Sequence, residues 1–334
     1  MKKNYKIILA TLLLCGGLWS FNVFKKDTSD KDKVLIELLT FVLQQAHYKP
    51  TEINDEFSKT MFDSYIESLD PSKRYFLEAD ITEFKKYRLA LDDLMLTSDL
   101  SFFDLTYNRL MKRMKESKAI YKEVLDKPFD LNIDEKINTN YDSITYAKSA
   151  SDLKERWRQQ LKYGIVGSIY TAEKLEADNK EKDENYKVKT FAEIEKDARE
   201  KSLKNLNDLY DIIDDLERKD WFSIYINSFT ETFDPHTQYF APDDKERFDS
   251  SMSGTLEGIG ARLQKKNDYV ELNELIPGGP AWKSKEIEQG DLILKVGQGE
   301  EEPIDIGGMR LDDVVSKKKK KKGTEVRLTV KKVD

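Results

Sequence analysis

The chain has 334 residues, of which 36% are charged, and its formal net charge is −7 at pH 7. A chain of this length exceeds one small binding module, so we expect at least two domains. Nucleic-acid binding needs a basic surface, and the acidic balance therefore argues against a nucleic-acid partner. Aromatic residues make up 11% of the chain, which excludes wholesale disorder.

The first 24 residues have the pattern of an export signal. Three lysines within the first six residues precede an apolar run from Ile7 to Leu18. This order predicts that residues 1–24 are a signal peptide or a signal anchor, and that only this segment contacts the membrane. The sequence leaves cleavage open. Because Cys15 is the only cysteine, the exported part is expected to lack disulfides.

Helical periodicity dominates residues 30–250, which predicts an all-α domain. One apolar stripe includes Val34, Leu38 and Leu43, and another runs from Phe57 to Leu69. Further helices are expected around residues 102–125, 157–166 and 203–216, and a last one with Asp220 as its N-cap. The charged segment Glu176–Lys189 is predicted to be an exposed loop or a frayed helix end.

One motif occurs twice in this helical region. Asp70-Pro71 and Asp234-Pro235 each end an apolar helix, and each is followed by a Tyr-Phe pair, at Tyr75-Phe76 and Tyr239-Phe240. The aspartate can accept hydrogen bonds from nearby N–H groups while the proline fixes the turn. The sequence predicts two similar loops, each held to the core by its aromatic pair.

From residue 254 the pattern changes to short strands separated by glycine and proline, which predicts a β-rich domain over 254–334. A glycine-rich turn, Gly254–Gly260, leads into an apolar strand. Such a turn can direct successive N–H groups toward a carboxylate, and an edge strand can pair with an extended peptide. Further on, three apolar residues share one face of a helix: Leu311, Val314 and Val315.

Turn, strand and helix together resemble the ligand groove of a PDZ domain. We expect Gly258, Ile259 and Gly260 to bind the terminal carboxylate of a peptide. The strand residues Ala261, Arg262 and Leu263 are expected to pair with the peptide backbone. The side-chain pocket is assigned to Leu311, Val314 and Val315.

The sequence predicts no catalytic residue, no metal site and no cofactor. His236 follows Asp234 and precedes several serines, but nothing else in the chain supports a hydrolytic triad. The other histidine, His47, is far away in sequence, and there is no cysteine pair for a metal. His236 is predicted to be a residue of the turn or of a domain interface.

The ordered motifs resemble the long-form carboxy-terminal processing proteases, or tail-specific proteases of the periplasmic Prc type, peptidase family S41. The resemblance rests on both Asp-Pro loops, Leu256–Ala261, Gly278–Ala281, Gly290-Asp291 and Arg310–Val315. It implies a helical domain, a PDZ domain that recognises apolar C-termini, and a protease core with a serine/lysine dyad. It also implies a periplasmic location, envelope-protein substrates and, in some members, a lipoprotein adaptor on the helical domain.

The chain departs from this family pattern in two places. The expected nucleophile turn and downstream lysine are not present in these residues, and a run of lysines occupies Lys317–Lys322. We therefore expect a multidomain α + β chain without the protease core: the recognition half of a tail-specific serine endopeptidase. Two alternatives stay open: a stand-alone periplasmic PDZ scaffold or adaptor, and a helical docking protein with a degenerate groove.

Overall fold

The structure is a computed structural model, and it describes residues 28–253, 258–266, 269–311, 313–314 and 325–333. It divides into two compact units, the first ending at Tyr239 and the second beginning at Phe240. The first is helical and the second contains the sheet, which confirms the predicted fold class. The signal segment 1–24, the beginning of the glycine-rich turn, Val315 and the lysine run lie outside the described residues.

Helices α1 to α8 build the first unit. They are α1 (Thr28–Ala46), α2 (Asp55–Leu69), α3 (Glu78–Phe84), α4 (Leu91–Leu96), α5 (Ser101–Leu125), α6 (Ala150–Lys182), α7 (Phe191–Asp215) and α8 (Arg218–Phe233). Short 3₁₀ turns occupy Lys85–Tyr87 and Tyr141–Ser143.

Helix α2 shows how the sequence sets these boundaries. The Asn54 side chain accepts hydrogen bonds from the N–H groups of Glu56 and Phe57 at 3.0 and 3.1 Å, which caps the first turn. The helix ends at Leu69, just before Asp70-Pro71. Its apolar stripe is buried as predicted, at Phe57, Met61, Phe62, Tyr65, Ile66 and Leu69.

Aromatic rings form the centre of the helical core. Tyr225 of α8 has no exposed surface and lies 5.0 Å from the ring of Tyr65 and 5.6 Å from that of Phe103. Phe57 of α2 packs edge-on against Phe229 at 5.6 Å. Such pairs contribute about 0.5–1.5 kcal/mol each beyond the burial of their area. Helices α2, α5 and α8 are therefore joined through their rings.

The first Asp-Pro loop is organised by a buried carboxylate. Asp70 is 1% exposed, and its oxygens accept hydrogen bonds from the N–H groups of Arg74, Tyr75 and Phe76 at 2.8, 3.0 and 2.9 Å. Burial raises the pKa of the Asp70 carboxyl, although the three N–H donors act in the opposite direction. The carboxylate satisfies N–H groups that the turn leaves without helical partners.

Helix α6 supplies the donors for the other side of this loop. The carbonyl groups of residues 72–74 accept hydrogen bonds from Gln160, Arg156 and Trp157, at 3.2, 2.6 and 2.8 Å respectively. Both the N–H groups and the carbonyl groups of the loop therefore have side-chain partners.

The second Asp-Pro loop has a different anchor. Asp234 accepts hydrogen bonds from the N–H of His236 at 2.7 Å and from the hydroxyl of Tyr48 at 2.9 Å, and these bonds lower its pKa. The N–H of Tyr239 bonds instead to the side chain of Asn227 at 2.7 Å. The two loops share a sequence motif but differ in their hydrogen bonds.

The predicted N-cap of α8 is wrong by three residues. The helix begins at Arg218, and Asp220 lies in its first turn. Its carboxylate accepts the N–H of Glu217 at 2.8 Å. Acidic residues stabilise a helix both at the N-cap and within the first turn. The residue type alone therefore does not locate the N-cap.

The segment Glu176–Lys189, predicted to be an exposed loop or a frayed helix end, contains the end of helix α6 and the buried residue Glu176. Helix α6 continues to Lys182, and Glu176 is 8% exposed. Its carboxylate accepts hydrogen bonds from the Tyr186 hydroxyl at 3.1 Å and from the Lys189 N–H at 2.9 Å. One buried glutamate thus holds the segment that connects α6 to α7.

The described residues of the second unit form helices and an antiparallel sheet. Its elements are α9 (Pro242–Ser253), β1 (Ala261–Lys266), β2 (Tyr269–Leu275), α10 (Pro280–Ser284), β3 (Leu292–Gln298), β4 (Ile304–Asp305) and β5 (Val326–Lys331). Strand β3 pairs with β2, β4 and β5, and β1 pairs with β2 at the end of the order β1-β2-β3-β4. The core of the unit consists of Val270, Leu272, Ile293, Val296, Ile306 and Val314.

We expect Asp70→Ala to destabilise the helical unit by at least about 3 kcal/mol, because it leaves three N–H groups of the loop without their acceptor. The matched variant Asp234→Ala is expected to cost about 1 kcal/mol, because its turn is more exposed. Urea unfolding of the full chain, followed by helical circular dichroism, measures both. Equal losses for the two variants would contradict the proposed difference between the loops.

Candidate functional site

The glycine-rich turn adopts backbone conformations that require glycine. Gly258 and Gly260 have φ values of +145° and +73°, the latter in the left-handed region. A Cβ added to Gly260 would lie 2.9 Å from the Cα of Gly279 and 3.1 Å from the Cδ of Pro280. The turn is therefore in direct backbone contact with the segment that begins α10.

Two hydrogen bonds fix this contact. The carbonyl of Gly260 accepts the N–H of Ile276 at 2.9 Å, and the carbonyl of Ile259 accepts the N–H of Ala281 at 2.8 Å. These carbonyl groups are directed toward the Ile276–Ala281 segment. The sequence predicts a turn at Pro277–Pro280 and a short helix from Ala281, but it did not show that this segment supports the glycine turn.

Strand β1 leaves the turn with alternating faces. Ala261 and Leu263 are partly buried against the core, whereas Arg262 is exposed. A break in register between Arg262 and Leu263 interrupts the pairing with β2. Within the described residues β1 pairs with β2 alone, so its other edge is open to a further strand.

The predicted helix is present at Leu311 and Val314, and the Val314 N–H bonds to the Arg310 carbonyl at 3.1 Å. Val314 has no exposed surface and belongs to the core, whereas Leu311 is only partly buried. Of these two pocket residues, Leu311 retains surface that a ligand can contact. The third, Val315, lies outside the described residues.

The structure brings most of the predicted site into one apolar cluster. Four of the predicted site residues are partly buried and pack against the core that contains Val314: Ile259, Ala261, Leu263 and Leu311. The cluster includes Ile259 of the glycine turn and two residues of β1, the strand whose outer edge is open. This arrangement can hold an extended chain end by backbone pairing, with an apolar side chain placed against the cluster.

A buried carboxylate supports the next turn of the sheet. Asp291 is 2% exposed and accepts hydrogen bonds from the Glu288 N–H and from Lys332, both at 2.8 Å. Burial raises its pKa, but the bonds from Lys332 and Glu288 outweigh this and hold the pKa below its usual value. Its backbone carbonyl accepts the Leu272 N–H at 2.9 Å, which ties the turn to β2.

His236 lies at the surface, in the second Asp-Pro turn. The His236 side chain is 91% exposed, with its Nδ1 atom 3.0 Å from an Asp234 oxygen, consistent with the predicted turn residue. Among the described residues, no group of three or more His, Cys, Asp or Glu side chains is arranged to hold a metal ion. None of the described helices is long and apolar enough to cross a membrane.

Comparison with known families agrees with this architecture. Residues 39–243 match the model of the tail specific protease N-terminal domain, and residues 249–331 match that of the PDZ domain. The first match covers more than half of the chain, and the chain therefore belongs to the tail-specific protease family, here with its N-terminal domain and a PDZ domain.

The relatives are longer proteins. The tail-specific protease of Haemophilus influenzae is 34% identical over 304 residues, which are 90% of this chain and 41% of that protein. A probable CtpA-like serine protease of Staphylococcus aureus is 38% identical over 97 residues, 29% of this chain and 18% of that protein. The chain thus spans less than half the length of these curated relatives.

A solved structure also matches part of the chain. It is the PDZ domain of a carboxy-terminal protease from Vibrio cholerae in complex with a peptide. The identity is 51%, the match covers 22% of this chain and 76% of that one, and the TM-score is 0.22.

We expect Gly260→Ala to loosen the site. A side chain at this positive φ costs roughly 1–2 kcal/mol, and the clash with Gly279 adds about 1–3 kcal/mol. Gly278→Ala is the matched control, because Gly278 has φ +81° but no atom within 4 Å of an added Cβ. Hydrogen exchange followed by mass spectrometry should show faster exchange over residues 258–266 in Gly260→Ala. Equal effects in both variants would argue against the close contact.

Proposed function

We propose that the second unit binds the free, apolar C-terminus of an extended polypeptide. One observation carries this proposal: the glycine turn directly precedes β1, a strand with an open edge, and residues of both pack into one apolar cluster. Membership of the PDZ family supports it, because these domains add an extended peptide to an exposed sheet edge.

Each part of the groove has a role in this binding. The backbone of Gly258, Ile259 and Gly260 receives the terminal carboxylate, because the positive φ values let successive N–H groups face one concavity. The backbone of residues 261–263 pairs with the peptide in an antiparallel ladder. Leu311 contacts the last side chain of the peptide; Val315, also predicted for this pocket, lies outside the described residues.

For the whole protein we propose a tail-specific serine endopeptidase in which this chain is the recognition half. The substrates are envelope proteins, and the location is the periplasm, with residues 1–24 directing export. The helical unit is the docking surface for a lipoprotein adaptor. Support comes from family membership and from the 34% identity with a tail-specific protease across 90% of the chain.

The test compares two forms of one fluorescent ten-residue peptide ending in Ala-Ala, one with a free carboxylate and one with an amide. We expect the full chain to bind the acid form and amidation to weaken binding at least tenfold, because hydrogen bonds to a charged group are about twice as strong as neutral ones. Fluorescence anisotropy measures both dissociation constants.

Two variants locate the binding. Leu311→Ala should weaken the acid form several-fold by removing apolar contact, whereas Ile304→Ala, at an exposed position of β4, should leave it unchanged. Equal affinity for the acid and the amide would contradict the proposal and favour a degenerate groove.

A further inference from the structure

The face of β1 that points away from the core carries positive charge beside the open edge. Burial alternates along the strand, so that Arg262, Gln264 and Lys266 are exposed while Ala261 and Leu263 pack inward. Arg262 has a 73% exposed side chain and Lys266 a 59% exposed one. This occurs in a chain with a formal net charge of −7.

These two cations form ion pairs with acidic residues of the neighbouring strand β2. Arg262 lies 2.9 Å from the carboxylate of Glu274, its register partner, and Lys266 lies 2.8 Å from that of Glu271. The acids are therefore on the side that faces the rest of the sheet, and the cations are on the outer strand. A strand added to β1 would meet the cations first.

The register of such a strand follows from the groove. If the terminal side chain of an antiparallel ligand faces the apolar cluster beside Ala261, successive ligand residues alternate between the two faces. The penultimate side chain then lies beside Arg262, the fourth from the end beside Gln264, and the sixth beside Lys266. The third and fifth side chains point toward the core side.

We propose that the groove selects tails that combine an apolar last residue with acidic side chains at the penultimate and sixth positions from the end. An acidic ligand residue completes a cross-strand order of negative, positive and negative charge with Arg262 and Glu274. Opposite charges across neighbouring strands stabilise pairing, and like charges oppose it. The inference rests on the proposed function and adds a substrate class to it.

Peptides that differ only at the penultimate position test the first contact. We expect the full chain to bind a peptide ending in Glu-Ala about 3- to 10-fold more tightly than one ending in Lys-Ala, and this ratio to shrink toward one in high salt. Arg262→Glu should reverse the order of the two peptides. Glu274→Gln should increase the preference for Glu, because it frees Arg262 from its partner.

A second pair of peptides, with Glu or Lys at the sixth position from the end, separates the two cations. Lys266→Glu should reverse that preference without changing the preference at the penultimate position. Equal binding of Glu and Lys peptides by the unmodified chain would overturn the charge inference and leave the tail-binding function standing. Failure to bind any apolar-ended peptide with a free carboxylate would overturn both.

Discussion

The close approach of Gly260 and Gly279 is the constraint on which the site depends. An added Cβ at either glycine would lie about 3 Å from the other residue's Cα, so both positions must lack a side chain. The contact brings the glycine turn against the start of α10, and the bonds from Ile276 and Ala281 to the turn's carbonyl groups hold it there. The turn is thereby fixed at the head of β1 before any ligand arrives, and preorganisation of this kind lowers the cost of binding.

In the helical unit, a turn is also held by hydrogen bonds to its backbone groups, but here side chains supply them. Asp70 accepts three N–H groups of its loop, and donors from α6 satisfy the carbonyl groups of residues 72–74. A long irregular connection can be buried only when its backbone groups have such partners. In both units the carbonyl groups of a turn accept hydrogen bonds from residues elsewhere in the sequence.

Sequence periodicity predicted the order of the helices and the change to a sheet, because burial follows repeats of 3.6 and 2 residues. It did not predict which face of α1 is buried. Val34 and Leu38 belong to the apolar stripe but are 52% and 56% exposed, whereas Ile36 is fully buried. The choice of face depends on the neighbouring helices, which one helix's sequence does not contain.

The site residues were predicted from a motif, and the structure adds how deeply each of them is buried. The pattern placed Leu311 and Val314 on one helix face, but only the fold shows that Val314 lies in the core while Leu311 reaches the surface. The support of the turn by Gly279 is equally invisible in sequence, because it joins residues nearly twenty positions apart. The repeated Asp-Pro motif likewise did not show that the Tyr239 N–H of the second loop is accepted by Asn227, whereas Asp234 accepts the N–H of His236.

The proposed function requires that the glycine turn and the open edge of β1 bind a peptide terminus. The most direct measurement is a nuclear magnetic resonance titration of the labelled full chain with an apolar-ended peptide carrying a free carboxylate. We expect the largest amide shifts on Gly258–Leu263, and we expect the methyl groups of Leu311 to shift with them. Shifts concentrated on β4, β5 or the helical unit, with Gly258–Leu263 unchanged, would contradict it.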